Sequence, residues 1–387
     1  MTSILTRRPQ RRAASRNGRR TVATVQQKSA LYLMLYAAIV SLCLIGVVMV
    51  LSASSVTALQ ERGSTWFFFR RQLVWMVLGV ACLIATSKIN FRWWARVAGP
   101  FLGFSVFLLV LVLIPGVGRN LNGSSRWLGV GSLSLQPSEI AKFALIVYVA
   151  SLLADPARPM TDLRRTLRPV LGVFGTVAAL LILEPDLGTA IICGAVVFAM
   201  LLAAGASYLH LGSMATLGGF IVTVASISTN YRRARVVAFL DPWEDPLNTG
   251  YQNLQSLVSI ANGGITGVGL GASRGKWGFL PFAHNDFIFA ILAEEMGLVG
   301  GAFVVFTFAA IGVAGYAVAS RVRDRFGALL VVGVITWVVV QAFVNIGAVI
   351  GALPITGVTL PFISLGGTSL VITLAAVGVV LNVAREA

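Results

Sequence analysis

Apolar residues in this chain gather in long uninterrupted runs rather than in the short alternating patterns of a soluble sheet or the one-sided stripes of a soluble helix. A bilayer core about 30 Å thick needs roughly 20 apolar residues per helix. The pattern predicts ten spans: Ala30–Leu51, Gln72–Ala85, Ala98–Ile114, Pro137–Leu153, Pro169–Leu183, Leu187–Ala204, Tyr208–Ser228, Phe287–Ser320, Ala328–Ile350 and Gly367–Val383. Phe287–Ser320 is long for one crossing and predicts a tilted or protruding helix. The expected fold class is an all-α polytopic membrane protein. A basic tail forms residues 1–29, a membrane domain residues 30–387, and one large extracytoplasmic loop (229–285) joins spans seven and eight.

Composition supports this reading. Apolar residues make up 57% of the 387 and charged residues 11%, which excludes both a soluble domain and a disordered chain. The net charge of +16 would ordinarily suggest nucleic acid, but its distribution excludes that partner. Arg7, Arg8, Arg11, Arg12, Arg16, Arg19, Arg20 and Lys28 precede the first run with no acid among them. Such a segment suits the anionic inner leaflet, and further clusters recur at Lys88–Arg96, Arg158–Arg168 and Arg321–Arg325. This asymmetry predicts that both termini are cytoplasmic. The first run is long enough to span, so it reads as an anchor rather than a cleaved leader. Cys43, Cys82 and Cys193 fall inside apolar runs without metal or redox spacing.

On that map the unusual polar residues collect on the outer side. Glu139 and Lys142, spaced i,i+3, read either as a structural ion pair or as groups shaping a pocket. Asp186, in the turn Glu184-Pro185-Asp186, reads as cap chemistry or as a carboxylate holding a metal or a sugar hydroxyl. Asp286 stands where the long loop meets span eight, beside His284, with Ala290, Ala293 and Gly297 below it. It is an N-cap or a general base. Glu294 and Glu295 point away from the Asp286 face and read as buried, hydrogen-bonded acids. Arg232, Arg233, Arg235, Arg274 and Lys276 form either a solvated face or a clamp for a diphosphate. Tyr251, Leu254 and Val258 predict an amphipathic segment lying along the membrane surface.

Several segments resemble the SEDS family (shape, elongation, division and sporulation) of integral-membrane peptidoglycan polymerases. They are Arg126-Trp127, Gln136–Lys142, Glu184–Gly188, Gly250-Tyr251-Gln252, Leu280–Phe289 with His284 and Asp286, Glu294–Gly297, and Pro354…Gly357 through Gly366-Gly367. Tyr231–Arg235, Asp241–Pro246 and Lys276-Trp277 resemble the division branch, FtsW, more than the elongation branch, RodA. The chain departs from the family pattern at Phe282, Asn285 and Leu365, and no role is carried to those positions.

The resemblance implies an inverting glycosyltransferase that polymerises lipid II at the outer face of the bacterial cytoplasmic membrane, at the division septum. Asp286 would be the general base. Arg126, Trp127, Glu139, Lys142, Asp186, Arg232, Arg233, Arg235, Lys276 and His284 would bind substrate or shape the pocket. A divalent cation (Mg or Mn) on Asp186 and Asp286 would assist departure of undecaprenyl diphosphate. The implied partners are a class B penicillin-binding protein transpeptidase, divisome regulators and membrane lipids. The rival readings are a lipid II flippase and a non-catalytic scaffold of the division or elongation machinery.

Overall fold

A computed structural model of the protein describes residues 11–121, 124–130, 133–158 and 163–386. Arg7 and Arg8 of the basic tail lie outside the described residues. The elements are α1 (Arg11–Arg62), α2 (Phe67–Lys88), α3 (Arg92–Leu113), β1 (Gly118–Leu121), β2 (Ser124–Val130), β3 (Leu133–Leu135) and α4 (Pro137–Ala154). They continue with α5 (Arg168–Leu183), α6 (Leu187–Ala203), α7 (Tyr208–Ile227), α8 (Asn230–Leu240), α9 (Tyr251–Gly263), α10 (Ile288–Ala319), α11 (Arg325–Val349) and α12 (Gly367–Glu386). Among the described residues, nine helices are long and apolar enough to cross a membrane, and α6 is a shorter apolar helix. These ten coincide with the ten predicted runs.

The ends differ where polar residues flank an apolar run. α1 continues through Ser52–Arg62, and α2 starts at Phe67 because Phe67–Phe69, Arg70 and Arg71 join its first turns. Helices that are apolar all round belong in the centre of a bundle. Accordingly α4, α11 and α12 are mostly buried by their neighbours, while α2 and α7 present nearly their whole surface outward.

Two features were not legible in the hydrophobic pattern. Gly118–Leu121, Ser124–Val130 and Leu133–Leu135 form a three-stranded antiparallel sheet of order β1-β2-β3 at the loop-rich end of the bundle. The loop after α7 begins with a helix, α8, that carries Tyr231–Arg235.

The long run Phe287–Ser320 is not one continuous tilted helix. α10 breaks at Gly297 (φ 66°, ψ −166°), and the preceding loop enters the break. Val268 and Gly269 donate from their backbone nitrogens to Glu294 O and Glu295 O, both at 3.0 Å. Leu298 and Val299 donate in turn to Gly264 O and Ile265 O, at 2.9 and 3.2 Å. A Cβ on Gly297 would stand 2.3 Å from Gly267 N and 2.4 Å from Ile265 O. Only glycine accepts both that φ and that approach. The small residue at 297 therefore serves loop insertion rather than the helix-on-helix packing expected of the Ala290–Ala293–Gly297 stripe.

Beside the break, Glu294 and Glu295 bind the same loop, as expected of buried acids. Glu294 accepts from Ser273 Oγ at 2.5 Å and Arg274 N at 3.1 Å, and Glu295 from Ser273 N at 3.3 Å and also from Ser52 Oγ of α1 at 2.6 Å. α9 packs Asn253, Leu254, Ser256 and Ser259 inward and leaves Leu257 and Val258 exposed. Its outward face thus carries Val258 of the expected triad, whereas Leu254 is buried.

Candidate functional site

The segment that carries Asp286 is held carbonyl by carbonyl. Leu365 N donates to His284 O at 3.0 Å, Ser364 Oγ to Asn285 O at 2.7 Å, and Asn345 Nδ2 to Asp286 O at 2.8 Å. The helix that follows is capped at Phe287 with no side-chain cap, so the Asp286 carboxylate does not serve as the N-cap of α10. It is half-buried in a narrow crevice whose opposite wall is Ile355–Val358. A Cβ at Gly357 would lie 3.6 Å from Asp286 Oδ2 and 3.8 Å from Arg235 Nη1, so the carboxylate and the guanidinium both approach the same glycine.

Two arginines from different elements reach this place. Arg235, on α8, donates to Ile355 O at 3.2 Å and lies over the Tyr231 ring at 4.5 Å. Arg126, on β2, donates from Nε to Glu184 O at 3.1 Å and from Nη2 to Pro185 O. Burial pushes the Asp286 carboxyl up to about 6; Arg235 and Arg126 oppose the rise and Asp186 reinforces it. A group poised there is still largely ionised at neutral pH and is a stronger base than an exposed aspartate. His284 stacks on Phe68 of α2 at 5.2 Å, and burial lowers it to about 4, so it is neutral at pH 7.

The neighbouring turn carries the second carboxylate pair. Asp186 caps α6, accepting from Thr189 N at 3.3 Å and Thr189 Oγ1 at 2.9 Å. Both its oxygens are thereby engaged, which is the cap alternative of the sequence reading. Glu184 is fully buried with neither carboxyl oxygen bonded. Burial, reinforced by Asp186, raises it to about 8 against the opposing field of Arg126.

Glu184 is therefore protonated at neutral pH, and the fold favours that form. Its stability contribution is full below about 4.5 and is lost as pH rises through about 8. Glu184→Gln is expected to flatten the melting temperature of the purified protein across that window. It should raise stability at the alkaline end by a few kcal/mol, read by thermal unfolding in detergent at several pH values.

The remaining predicted residues separate into different environments. Lys142 and Glu139 form a buried ion pair at 2.9 Å inside the bundle. Lys142 also donates to Gln341 Oε1 at 2.8 Å and lies 4.8 Å from the centre of the Trp337 ring. Of the cations expected to form one clamp, Arg232 turns toward the ends of α5 and α7, donating to Ile182 O at 3.2 Å and Ala225 O at 3.4 Å. Arg233 is exposed along an open groove with Asp241, Glu244 and Asp245. Lys276 is 5% exposed and pairs with Glu295 at 3.3 Å. The single five-cation clamp is thus corrected: of that set only Arg235 lies beside Asp286, and Arg126 joins it from the sheet. Trp127 follows on β2, half-buried and paired in register with Arg119.

Among the described residues no three His, Cys, Asp or Glu side chains converge as metal ligands. With no third side chain of that kind beside Asp186 and Asp286, the described residues do not make a complete ligand set for a divalent cation, and no step is routed through one. Sequence reasoning passed over Gln341 and Asn345. Their signal was present: two amides spaced i,i+4 in the otherwise apolar α11, each requiring buried partners.

Comparison with known proteins agrees with this geometry. The family model of FtsW, RodA and SpoVE, described as cell cycle protein, matches residues 33–387. The chain belongs to that family. It is 41% identical over 343 residues to stage V sporulation protein E of Bacillus subtilis, covering 88% of this chain and 93% of that one. It is 44% identical over 348 residues to the probable peptidoglycan glycosyltransferase FtsW of Thioalkalivibrio sulfidiphilus, covering 88% and 86%. Among solved structures, a chain from work on the structural coordination of polymerization and crosslinking by a peptidoglycan synthase complex superposes with a TM-score of 0.75. It shares 32% identity and is covered to 97%, with 91% of this chain. The rod shape determining protein RodA of Thermus thermophilus superposes at 0.68 with 28% identity, covering 91% of this chain and 96% of its own. The motif resemblance and the polytopic helical fold are both upheld.

Proposed function

We propose that this protein is a peptidoglycan glycosyltransferase that polymerises lipid II, with Asp286 as the general base. The observation that carries the reading is a half-buried carboxylate close to Arg235 and within the field of Arg126, at the loop-rich end of a membrane bundle. The names of the relatives support the activity. A similar chain that works within a synthase complex coordinating polymerization with crosslinking supports a partner that crosslinks.

In this reading, Asp286 takes the proton from the acceptor sugar hydroxyl as that oxygen attacks the anomeric carbon of the growing strand. The new carbon–oxygen bond forms as the bond to the diphosphate oxygen breaks, inverting that carbon. Undecaprenyl diphosphate leaves with the electron pair, and Asp286 passes its proton to solvent. Arg126 and Arg235 face the region where negative charge develops, which is where fixed cations lower a barrier most. Residues 30–387 act as the membrane domain. The loop-rich end faces outward and both termini face the cytoplasm, consistent with the basic clusters of the inner segments. The likeness of Tyr231–Arg235, Asp241–Pro246 and Lys276-Trp277 to the division branch supports a septal role, and the similar chain from a synthase complex supports a class B penicillin-binding protein as partner.

The test is polymerisation of labelled lipid II by the protein purified with its transpeptidase, followed against pH. A base must be ionised, so the rate is expected to hold near neutrality and fall about tenfold per unit below an acid limb centred near 6. Lack of polymer under all conditions, with lipid II moved across vesicles instead, would favour a flippase. Lack of both would favour a scaffold.

A further inference from the structure

The crevice at Asp286 has two walls, and one side chain from a third element fixes both. Asn345, on α11, is 2% exposed. Its Nδ2 donates to Asp286 O at 2.8 Å and to Val358 O at 2.7 Å. An amide nitrogen carries two hydrogens in one plane and serves two carbonyls at once. The flipped amide would set Oδ1 against both acceptors, so its orientation is determined by its partners. The first carbonyl belongs to the residue bearing the base. The second belongs to the extended segment whose Ile355 O receives Arg235 and whose Gly357 faces the Asp286 carboxylate.

One helical turn earlier, Gln341 Nε2 donates to Thr359 O at 2.9 Å. The outer half of α11 thus holds 358–359 by two amides, but only Asn345 also reaches the base. Asn345 Oδ1 is buried without a partner. The amide's two donor hydrogens are both used, so an apolar residue at 345 would leave two carbonyls without their donor.

We infer that Asn345 is a positioning residue, setting the distance between the Asp286 carboxylate and the arginine-bearing wall across which the sugar hydroxyl must lie. The inference rests on the reading of Asp286 as base. It explains why an amide is needed. Ionised aspartate donates to neither carbonyl, leucine donates nothing, and serine has a single hydrogen to give.

The experiment uses the full chain purified with its transpeptidase, polymerising labelled lipid II under steady state over a range of pH. Three variants are compared: Asn345→Leu, Asn345→Asp and Asn345→Ser. Displacement of a reacting group by about 1 Å costs on the order of a hundredfold in rate. Asn345→Leu is therefore expected to lower kcat about a hundredfold with KM changed less than about twofold. Asn345→Ser, which keeps one donor, should retain an intermediate kcat, and it carries the test if the leucine variant does not fold.

In Asn345→Asp the acid limb is expected to move to higher pH, because a new carboxylate joins the charges facing Asp286. Those charges are Arg235 from α8, Arg126 from β2 and Asp186 from the α5–α6 turn. That shift reports only how close position 345 lies to the base, and the role is decided by the neutral variants: a role confined to stability would lower the melting temperature and leave kcat and KM at wild-type values in folded Asn345→Leu and Asn345→Ser. Wild-type kcat in those folded variants, alongside an inactive Asp286→Asn, would overturn the inference and leave the base in place. Wild-type polymerisation by Asp286→Asn would remove the base itself, whatever the Asn345 variants do.

Discussion

Replacing Asp286 by asparagine is expected to reduce polymer formation from labelled lipid II by about a thousandfold while leaving the protein folded. Asparagine matches aspartate in shape, and the backbone bonds that hold this segment come from Leu365, Ser364 and Asn345 and do not involve the carboxylate. The substitution removes the proton acceptor and nothing that supports it. Its effect on stability has a definite sign. The carboxyl is pushed up to about 6 in the fold, above its ordinary 3.8, so the fold prefers the protonated form and the ionised group costs stability above about 6. Asp286→Asn should therefore melt at or above the wild-type temperature at neutral pH. A loss of activity accompanied by a lower melting temperature would mean that the carboxylate is structural.

Replacing Lys142 by methionine is expected to destabilise the protein by about 3–5 kcal/mol. The pair it breaks is 2% and 5% exposed and lies within the bundle, where Glu139 would be left charged and unpaired. The loss spreads, because Gln341 Oε1 receives both Lys142 Nζ and Trp337 Nε1, the latter at 2.7 Å, while Gln341 Nε2 holds Thr359 O. The double variant Glu139→Gln/Lys142→Met removes both charges and is expected to regain most of the loss, since the cost lies in the orphaned ion. Melting temperatures and detergent-extracted yield distinguish the two. Equal destabilisation by single and double variants would show that the amide network, not the charge, carries the stability.

What could be read along the chain follows from the range of the forces involved. The ten apolar helices were legible because each buries its own backbone hydrogen bonds within its own residues, whatever packs beside it. The pairing of Glu139 with Lys142 was equally legible, since i,i+3 neighbours meet on any helix. Asp286 stood out as an acid at a loop–span junction beside one of only two histidines.

The rest depends on contacts between distant segments. Arg126 and Arg235 are far apart in sequence, and only the placement of β2 and α8 brings both to Asp286, while Arg232 and Lys276 turn to other partners. The three strands lie in a stretch rich in Gly and Ser, and their strand character arises from pairing rather than from alternation. The break in α10 is invisible to hydropathy because Gly297 is apolar enough to continue the run; its conformation is set by the loop that enters there. Asn345 and Gln341 required knowing which carbonyls lay opposite α11.

Everything proposed for Asp286 requires that it serve the outer compartment, and impermeant thiol labelling decides that directly. With Cys43, Cys82 and Cys193 replaced, a single cysteine is introduced by Asn248→Cys at the loop-rich end or by Arg323→Cys at the opposite end, both at exposed positions. In spheroplasts, a membrane-impermeant maleimide is expected to modify the first at once and the second only after permeabilisation. Labelling of the position-323 variant in sealed cells, with the position-248 variant protected, would place Asp286 on the cytoplasmic side and contradict the reading.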